Sequence, residues 1–333
     1  MRLDSKVYHI VFNAIYDVRG VKLSQNKIII CLLLMIILAS PIIVASFGLH
    51  SSNIIIYAGG SINYGTLYRY GVCFHAWVEY NSATKEILSN LGGIWVRSDW
   101  KHTSFMLSWK NDMKQMGIKV LGIINYVTLN FKDFNLTDWE QLVRKVVAEA
   151  PDVDAWEIWN EPDVPKFQLG YMDGTPERYF EMLKIAYNII KSETDALVVA
   201  PAISSSGLLT DWLDRLVALG VLDYLDVVSI HLYFDTVSDN QKYLNKVKSV
   251  VGDKPIWVTE IGKPSAITRT EEFQDNYLKT NFDPNTGLKA DKLFWYELMD
   301  NAGVSDGTEG HFGLIRSDYS FKPSYYSFKS LIS

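Results

Sequence analysis

Two glutamates close short apolar runs in this sequence, and their positions indicate paired-carboxylate chemistry. Glu161 ends the run AWEIWNE and Glu260 ends the run PIWVTE, both rich in Trp, Ile or Val. Such runs are typical of buried strands, so both carboxyl groups are predicted at strand ends. Two carboxyl groups in one cleft can serve glycoside hydrolysis: one protonates the leaving oxygen, and the other attacks the anomeric carbon or activates water. Capping of a following helix is the alternative for either glutamate taken alone.

The elements that must position these glutamates follow from a regular alternation after Tyr70. Short runs of Val, Ile and aromatic residues alternate with longer segments of helical period, which predicts βα units and a parallel sheet. Eight such units in about 265 residues favour an α/β fold of the (β/α)8 barrel type over an open doubly wound sheet, and no Gly-rich phosphate loop follows the first strand. The predicted strand ends are Cys73, Arg97, Tyr126, Glu161, Ala202, His231, Glu260 and Tyr296.

Barrels of this kind carry their chemistry at the carboxyl ends of the strands. Glu161 and Glu260 then end strands four and seven, which face each other across the barrel mouth.

Helix boundaries are predicted from capping boxes, from a Thr before Pro, and from terminal glycines. These signals are Thr137 with Glu140, Ser238 with Gln241, Thr175 with Pro176, and Gly92, Gly117, Gly220 and Gly252.

The amino-terminal part of the chain predicts export. Residues 28–68 contain no Asp, Glu, Lys or Arg, and residues 28–49 are long enough to cross a bilayer. The same stretch also fits a signal peptide with small residues at 44–46 for cleavage, and a buried soluble helix is the third alternative. Basic residues precede it, which places the amino terminus in the cytoplasm. The predicted division is a cytoplasmic segment (1–27), a transmembrane anchor or signal sequence (28–49), a spacer (50–69) and an extracytoplasmic catalytic barrel (70–333), held at the cell membrane or secreted after cleavage.

Charge and cysteine content narrow the expected partners. The net charge is -6 and no dense basic run occurs, so nucleic acid is not expected as a partner. Without residues 1–49, which hold five of the 32 Lys and Arg and two of the 38 Asp and Glu, the net charge is -9. A neutral partner is therefore favoured over a polyanion. Cys31 and Cys73 lack zinc spacing and cannot form a disulfide framework, so no metal or thiol chemistry is predicted.

An ordered set of motifs along residues 70–333 resembles the retaining glycoside hydrolases of clan A. These motifs are IWVRSDW, WNEP, IHLYF, WVTEIG, LFWYELMD and HFGLIRSDYSFKPSYY. Within the clan the sequence is most similar to family 39, the β-xylosidase and iduronidase type, and next to the cellulase type of family 5. The resemblance implies hydrolysis of β-glycosidic bonds in an oligo- or polysaccharide through a covalent glycosyl-enzyme, without a metal or cofactor. The apolar amino-terminal segment lies outside the family pattern.

The same resemblance implies roles for individual residues. Glu161 matches the general acid/base and Glu260 the nucleophile, so their pKa values are expected to be pushed apart. Arg97 matches the arginine that donates to the nucleophile, and Asn160 the residue that binds the sugar 2-hydroxyl. His231 and Tyr233 match a pair lining the cleft, with Tyr233 placed to bond the nucleophile, and His75 and Trp77 are expected to line the same subsite as Trp295, the predicted aromatic floor under the sugar. Further wall candidates are Trp100 and Tyr126, and core packing is the alternative for these two, for His231 and for Trp295.

Two alternatives remain open at this stage. Within the enzymes, an exo-acting enzyme similar to a β-xylosidase stands against an endo-acting glycanase, because cleft shape is not visible in sequence. Outside the enzymes, the barrel would be a surface module that binds carbohydrate without catalysis. The sequence does not determine the sugar, the linkage or the oligomeric state.

Overall fold

Strands and helices alternate along the chain, and the eight strands close into one parallel ring. The computed structural model describes residues 68–332 except 102, 130–132, 169 and 302–306. Each strand pairs with the next in chain order, and the last pairs with the first. This confirms the predicted (β/α)8 barrel. The strands are β1 Tyr70–Cys73, β2 Trp95–Asp99, β3 Lys119–Ile124, β4 Ala155–Ile158, β5 Leu197–Ile203, β6 Val227–Leu232, β7 Ile256–Ile261 and β8 Lys292–Trp295.

The helices surround the ring and bury their apolar faces against the outward-facing side chains of the strands. Each predicted strand end falls within three residues of an observed one, because the apolar runs mark the strands directly. In the described residues the α-helices are α1 Ala76–Glu79, α2 Ser82–Leu91, α3 Ser104–Gln115, α4 Tyr126–Leu129, α5 Leu136–Glu149, α6 Pro176–Glu193, α7 Trp212–Ala218, α8 Val237–Val251, α9 Glu271–Phe282 and α10 Pro323–Ile332.

The inside of the barrel is packed with one side chain from every strand. Trp95 and Trp257 meet edge to face with ring centroids 4.9 Å apart, and Phe294 packs against both. Because side chains alternate between the two faces of a strand, the neighbours of these residues point outward to the helices. The inward set is Cys73, Trp95, Leu121, Ala155, Val199, Val227, Trp257 and Phe294.

Helix boundaries follow the capping predictions in part. Thr175 caps α6 as predicted, with its side chain accepting a hydrogen bond from a backbone N–H of the first turn. Both predicted capping boxes are wrong: Asn135 caps α5 in place of Thr137, and Thr236 caps α8 in place of Ser238. The actual caps stand two residues earlier, where extended backbone lets the side-chain oxygen reach the first helical N–H groups. The predicted terminal glycines all have positive φ at helix ends: Gly92, Gly117, Gly220 and Gly252.

The predicted cytoplasmic segment, the anchor or signal sequence and nearly all of the spacer lie outside the described residues. Among the helices that the structure does describe, none combines the length and apolar character needed to cross a bilayer.

Candidate active site

The carboxyl ends of the strands surround a cavity of about 590 Å³. Parallel strands in a closed ring bring their last residues to one rim, so side chains far apart in sequence meet there. Most of the predicted site residues line this cavity: His75, Arg97, Asn160, Glu161, Tyr233 and Glu260.

Glu260 lies within β7, and two donors hold its carboxylate. Arg97 Nη1 donates to Oε1 at 2.6 Å, and the Tyr233 hydroxyl donates to Oε2 at 2.6 Å. Burial by itself raises the pKa of Glu260, but the nearby His231 and Arg97 charges and the two hydrogen bonds outweigh it and lower the pKa. The side chain is therefore held as the ionised carboxylate that a nucleophile requires.

Glu161 lies three residues beyond β4, on a turn of unusual backbone conformation. Trp159 has φ of 70° and Glu161 has φ of 45°, in a region that non-glycine residues seldom adopt. The Glu161 N–H donates to the carbonyl of Ala202 at 3.1 Å, which ties the turn to β5. Strained backbone of this kind is typical of functional sites, where it aims a side chain. One carboxylate oxygen of Glu161 lies within 4.8 Å of one of Glu260.

His231, on β6, contacts both glutamates. Its Nδ1 lies 2.9 Å from Oε1 of Glu161 and 3.4 Å from Oε2 of Glu260. Its Nε2 lies 3.5 Å from Arg97, which can only donate. When the ring is neutral, its single proton is therefore on Nδ1. Burial lowers the pKa of His231, but the charges of Glu260 and Glu161 and the contact with Glu161 raise it overall. The ring is fully buried beneath the cavity wall, so His231 reaches the cavity through its contacts with the two glutamates and is not itself among the lining residues.

Arg97, on β2, organises the site through three separate contacts. Besides Glu260, its Nη2 donates to Oδ1 of Asn160 at 2.8 Å, and its Nε donates to Oε2 of Glu157 at 2.5 Å. Glu157 is fully buried on β4 and was not predicted as a site residue. The signal that could have identified it is a charged residue two positions after Ala155, on the inward face of an apolar strand.

A second set of ionisable side chains surrounds His75. His75 Nε2 lies 3.2 Å from Glu297 and its Nδ1 lies 3.7 Å from Asp99, while its backbone N–H donates to Glu79. Burial lowers the pKa of His75, but Asp99 and Glu297 raise it well above the usual range. Burial raises the pKa of Glu79 to about 8 and also raises that of Glu297. The sequence predicted His75 but missed its acidic partners.

The aromatic floor predicted at Trp295 is wrong. Trp295 is fully buried, its ring packs against Tyr277 and Phe282 of α9, and its Nε1 donates to the carbonyl of Phe312. The neighbouring Tyr296 lines the cavity instead. The strand alternation explains the error, because a shift of one residue moves a side chain to the opposite face.

The other predicted wall residues divide between cavity and core. Tyr126 lines the cavity and stacks on Phe167, with ring centroids 5.4 Å apart and an interplanar angle of 20°. Trp100 is buried in the core, and Trp77 lies at the surface beneath the ammonium group of Lys101. Of these three residues, only Tyr126 is therefore placed to contact a ligand in the cavity.

One group of side chains in the described part of the chain has donor atoms close enough for a metal ion. Glu161, His231 and Glu260 each offer one ligand atom, all within 4.8 Å of one another. However, both oxygens of Glu260 already accept hydrogen bonds, and a cation there would face the Arg97 guanidinium. The donor set therefore fits acid and base chemistry better than metal coordination.

Comparisons with known proteins point to one enzyme class. A family model described as a glycosyl hydrolase catalytic core matches residues 89–299. The search of curated protein sequences gave no match. Similar solved structures include a family 39 glycoside hydrolase from Bacteroides cellulosilyticus WH2, with 22% identity, a TM-score of 0.64, and 82% of this chain and 65% of that chain covered.

Two further solved structures have a similar fold. A monomeric β-xylosidase from Caulobacter crescentus CB15 has 15% identity and a TM-score of 0.60, over 80% of this chain and 68% of that chain. An endo-β-1,3-glucanase of family 128, subgroup I, from Amycolatopsis mediterranei has 16% identity and a TM-score of 0.54, over 79% of this chain and 99% of that chain. The chain thus spans about two thirds of the length of the family 39 enzyme and the β-xylosidase. At these identities the likeness shows a shared fold.

Proposed function

The chain belongs to the glycosyl hydrolase catalytic core family, and we propose that it is a retaining glycosidase that cleaves β-glycosidic bonds in an oligo- or polysaccharide. In this proposal Glu161 is the general acid/base and Glu260 is the nucleophile. The supporting residues are Arg97, Asn160, His231 and Tyr233, with His75 in the cavity wall.

The separation of the two carboxylates carries the proposal. Their nearest oxygens lie within 4.8 Å. Retaining glycosidases have carboxyl groups about 5–5.5 Å apart, whereas inverting enzymes need about 6.5–9.5 Å to admit a water molecule. The observed separation favours direct attack by Glu260 on the anomeric carbon.

In the first step Glu161 donates a proton to the glycosidic oxygen as the bond from that oxygen to the anomeric carbon breaks. An oxygen of Glu260 forms an ester bond to the same carbon, and the aglycone leaves as an alcohol. Asn160, held by Arg97 Nη2, is positioned to bind the sugar 2-hydroxyl, an interaction that strengthens as positive charge develops on the ring.

In the second step a water molecule takes the place of the aglycone. Glu161, now a carboxylate, removes a proton from the water as its oxygen attacks the anomeric carbon, and Glu260 departs as a carboxylate. The donors Arg97 and Tyr233 stabilise the charge that returns to Glu260. Two displacements on one carbon leave its configuration unchanged.

Several features of the cavity support a sugar substrate. Its volume of about 590 Å³ falls in the range of roughly 300–1,000 Å³ typical of small-molecule sites. Tyr126, Phe167, Tyr296 and Phe312 offer aromatic surface to the apolar faces of sugar rings. The β linkage is proposed because two proteins of similar fold are named as a β-xylosidase and an endo-β-1,3-glucanase.

The decisive experiment removes the nucleophile and replaces it chemically. A panel of aryl α- and β-glycosides first identifies a substrate of the wild-type protein. Glu260→Ala should then abolish its hydrolysis, and added azide should restore turnover as a glycosyl azide of inverted configuration. Full activity of Glu260→Ala would overturn the assignment. Proton NMR of wild-type hydrolysis provides a second check, because the first-formed anomer must match the substrate.

Two tests separate the alternatives. Tight binding of a glycan in calorimetry, without release of reducing ends from that glycan, would indicate a binding module rather than an enzyme. For an active protein, the products of an oligosaccharide ladder distinguish the two modes of action. Single sugars released from one end indicate exo action, and a spread of internal fragments indicates endo action.

The apolar residues 28–49 support a further part of the proposal, that the barrel is exported and either tethered to the membrane or secreted. The mass of the mature amino terminus, measured on both the membrane fraction and the medium, tests it. An intact amino terminus in the membrane fraction indicates an anchor, and cleavage near 44–46 indicates a signal peptide. An intact chain found only in the cytosol would contradict export.

A further inference from the structure

Glu157 is a buried carboxylate that the reaction steps above do not use. It lies on β4 with 0% of its surface exposed, and its Oε2 accepts a hydrogen bond from Arg97 Nε at 2.5 Å. In the part of the chain that the structure describes, its Oε1 has no hydrogen-bond partner. Burying a carboxylate in this way is unfavourable unless a specific charge compensates it. Arg97 is that charge.

The geometry around Arg97 links Glu157 to the two glutamates of the site. The guanidinium is planar and rigid, so a bond at one nitrogen restricts the directions of the others. Glu157 occupies Nε, Glu260 occupies Nη1 at 2.6 Å, and Asn160 occupies Nη2 at 2.8 Å. The contact with Glu157 therefore sets the plane in which Arg97 meets Glu260 and Asn160.

The charges of Arg97, Glu157 and Glu260 also support a role for Glu157. Arg97 is 3% exposed, so water screens its charge little. One guanidinium lies between two carboxylates, and its attraction is shared between Glu157 and Glu260. If Glu260 alone received the attraction of Arg97, its carboxylate would be less basic and would be a weaker nucleophile.

We propose that Glu157 is a positioning residue, which orients Arg97 toward Glu260 and Asn160 and shares its positive charge so that Glu260 stays nucleophilic. The inference rests on the proposed role of Glu260. The titratable or charged groups around Glu260 in the described residues include Cys73 on β1, Arg97 on β2, Tyr126 after β3, Glu161 after β4, His231 on β6, Tyr233 after β6, and Tyr296 and Glu297 after β8.

The main test replaces Glu157 by glutamine, which keeps its size and an accepting oxygen but removes its charge. In Glu157→Gln the acidic limb of the profile of kcat/KM against pH should move down by about one pH unit, because Arg97 then acts fully on Glu260. The value of kcat should fall about 10- to 100-fold, with a smaller change in KM, because the nucleophile is less basic. An acidic limb and a kcat equal to wild type would overturn the inference.

A matched control removes another buried carboxylate that is paired with a buried cation. Asp300 accepts a hydrogen bond from Lys322 at 2.7 Å, and neither residue lines the cavity. Asp300→Asn should lower Tm, as Glu157→Gln is also expected to do, but leave the acidic limb where it is in wild type. An equal movement of the limb in both variants would show that loss of any buried ion pair is sufficient, and this would contradict the proposal.

Glu157→Asp keeps the inference testable if the glutamine variant does not fold. It retains the negative charge but moves it away from Arg97, so kcat should fall by a smaller factor and the acidic limb should stay within a few tenths of a pH unit of wild type. A limb shifted by a full unit in Glu157→Asp would contradict charge sharing. Absence of hydrolysis by the wild-type protein would instead be a failure of the proposed function.

Discussion

Two sets of buried or half-buried ionisable side chains lie at or beneath the cavity wall, and they differ in what determines their charge. The nucleophile group, named for the proposed role of Glu260, is Arg97, His231, Tyr233 and Glu260, and the histidine group is His75, Glu79, Asp99 and Glu297. In the nucleophile group the central cation is an arginine, which stays protonated at any pH at which the protein is folded. In the histidine group the central cation is His75, which titrates, and two of its acidic neighbours have raised pKa values.

The difference indicates a division of tasks. A carboxylate paired with arginine keeps its charge over a wide pH range, as a nucleophile must. A carboxyl group whose pKa burial raises, as at Glu79, where it is about 8, changes its charge near neutral pH. We therefore expect the nucleophile group to determine whether the reaction occurs, and the histidine group to determine how stability depends on pH.

The largest expected effect compares the buried glutamates of the two groups. Glu260→Gln should reduce hydrolysis of an aryl glycoside to the uncatalysed background, because no attacking carboxylate remains. Glu297→Gln should retain turnover with a loss of about 10- to 100-fold, because it removes only a partner of His75. Initial rates at saturating substrate measure both. Similar losses in the two variants would remove the distinction between the groups.

The next effect concerns Glu161, the proposed acid/base. Glu161→Gln should lower kcat/KM about 10²- to 10⁴-fold for a glycoside whose leaving group needs a proton. For a dinitrophenyl glycoside the first step should lose little, because that leaving group departs without protonation. Comparing the two substrates in one variant is the measurement. Equal losses with both leaving groups would contradict the role of Glu161 as the acid.

A smaller effect concerns stability in the histidine group. Folding raises the pKa of Glu79 from about 4.5 to about 8, so the folded state holds a proton that the unfolded state releases. The corresponding stability is present below about pH 4.5 and is lost as the pH rises toward 8. Glu79→Gln should therefore match wild type near pH 4.5 and exceed it by up to about 4 kcal/mol at pH 8.

Urea unfolding at pH 4.5, 6 and 8 measures this difference. The exposed Glu86→Gln is the control, with a free energy of unfolding that should parallel wild type at all three pH values. If Glu79→Gln also parallels wild type, the histidine group does not control the pH dependence of stability.

The smallest effect separates two adjacent aromatic residues at the end of β8, whose side chains point in opposite directions. Trp295→Phe should lower the free energy of unfolding by about 1–3 kcal/mol and leave KM unchanged, because Trp295 packs against α9. Tyr296→Ala should raise KM about 10-fold, because this ring lines the cavity. Thermal unfolding and steady-state kinetics of both variants test the pair, and the reverse pattern would place the sugar against Trp295.

Local patterns determined much of this protein. Apolar runs separated by helical segments predicted the eight strands, because a buried parallel strand needs a continuous apolar stretch and each crossover needs one helix. The motifs around Glu161 and Glu260 predicted the glycoside hydrolase class, which the family match confirms. The catalytic roles assigned to both glutamates stay predictions, as does the anchor or signal sequence at residues 28–49.

Only the tertiary structure decided which side chains face the cavity and which partners set their charge. Successive residues of a strand point to opposite faces, so an error of one position exchanged Trp295 for Tyr296. The role proposed for Glu157 follows from its contact with Arg97, 60 positions away in the chain. Asp99 and Glu297, which pair with His75, come from the ends of other strands. Closure of the barrel brings a carboxylate on one strand to its cationic partner on another. The spacing of residues along a single strand therefore does not predict such pairs.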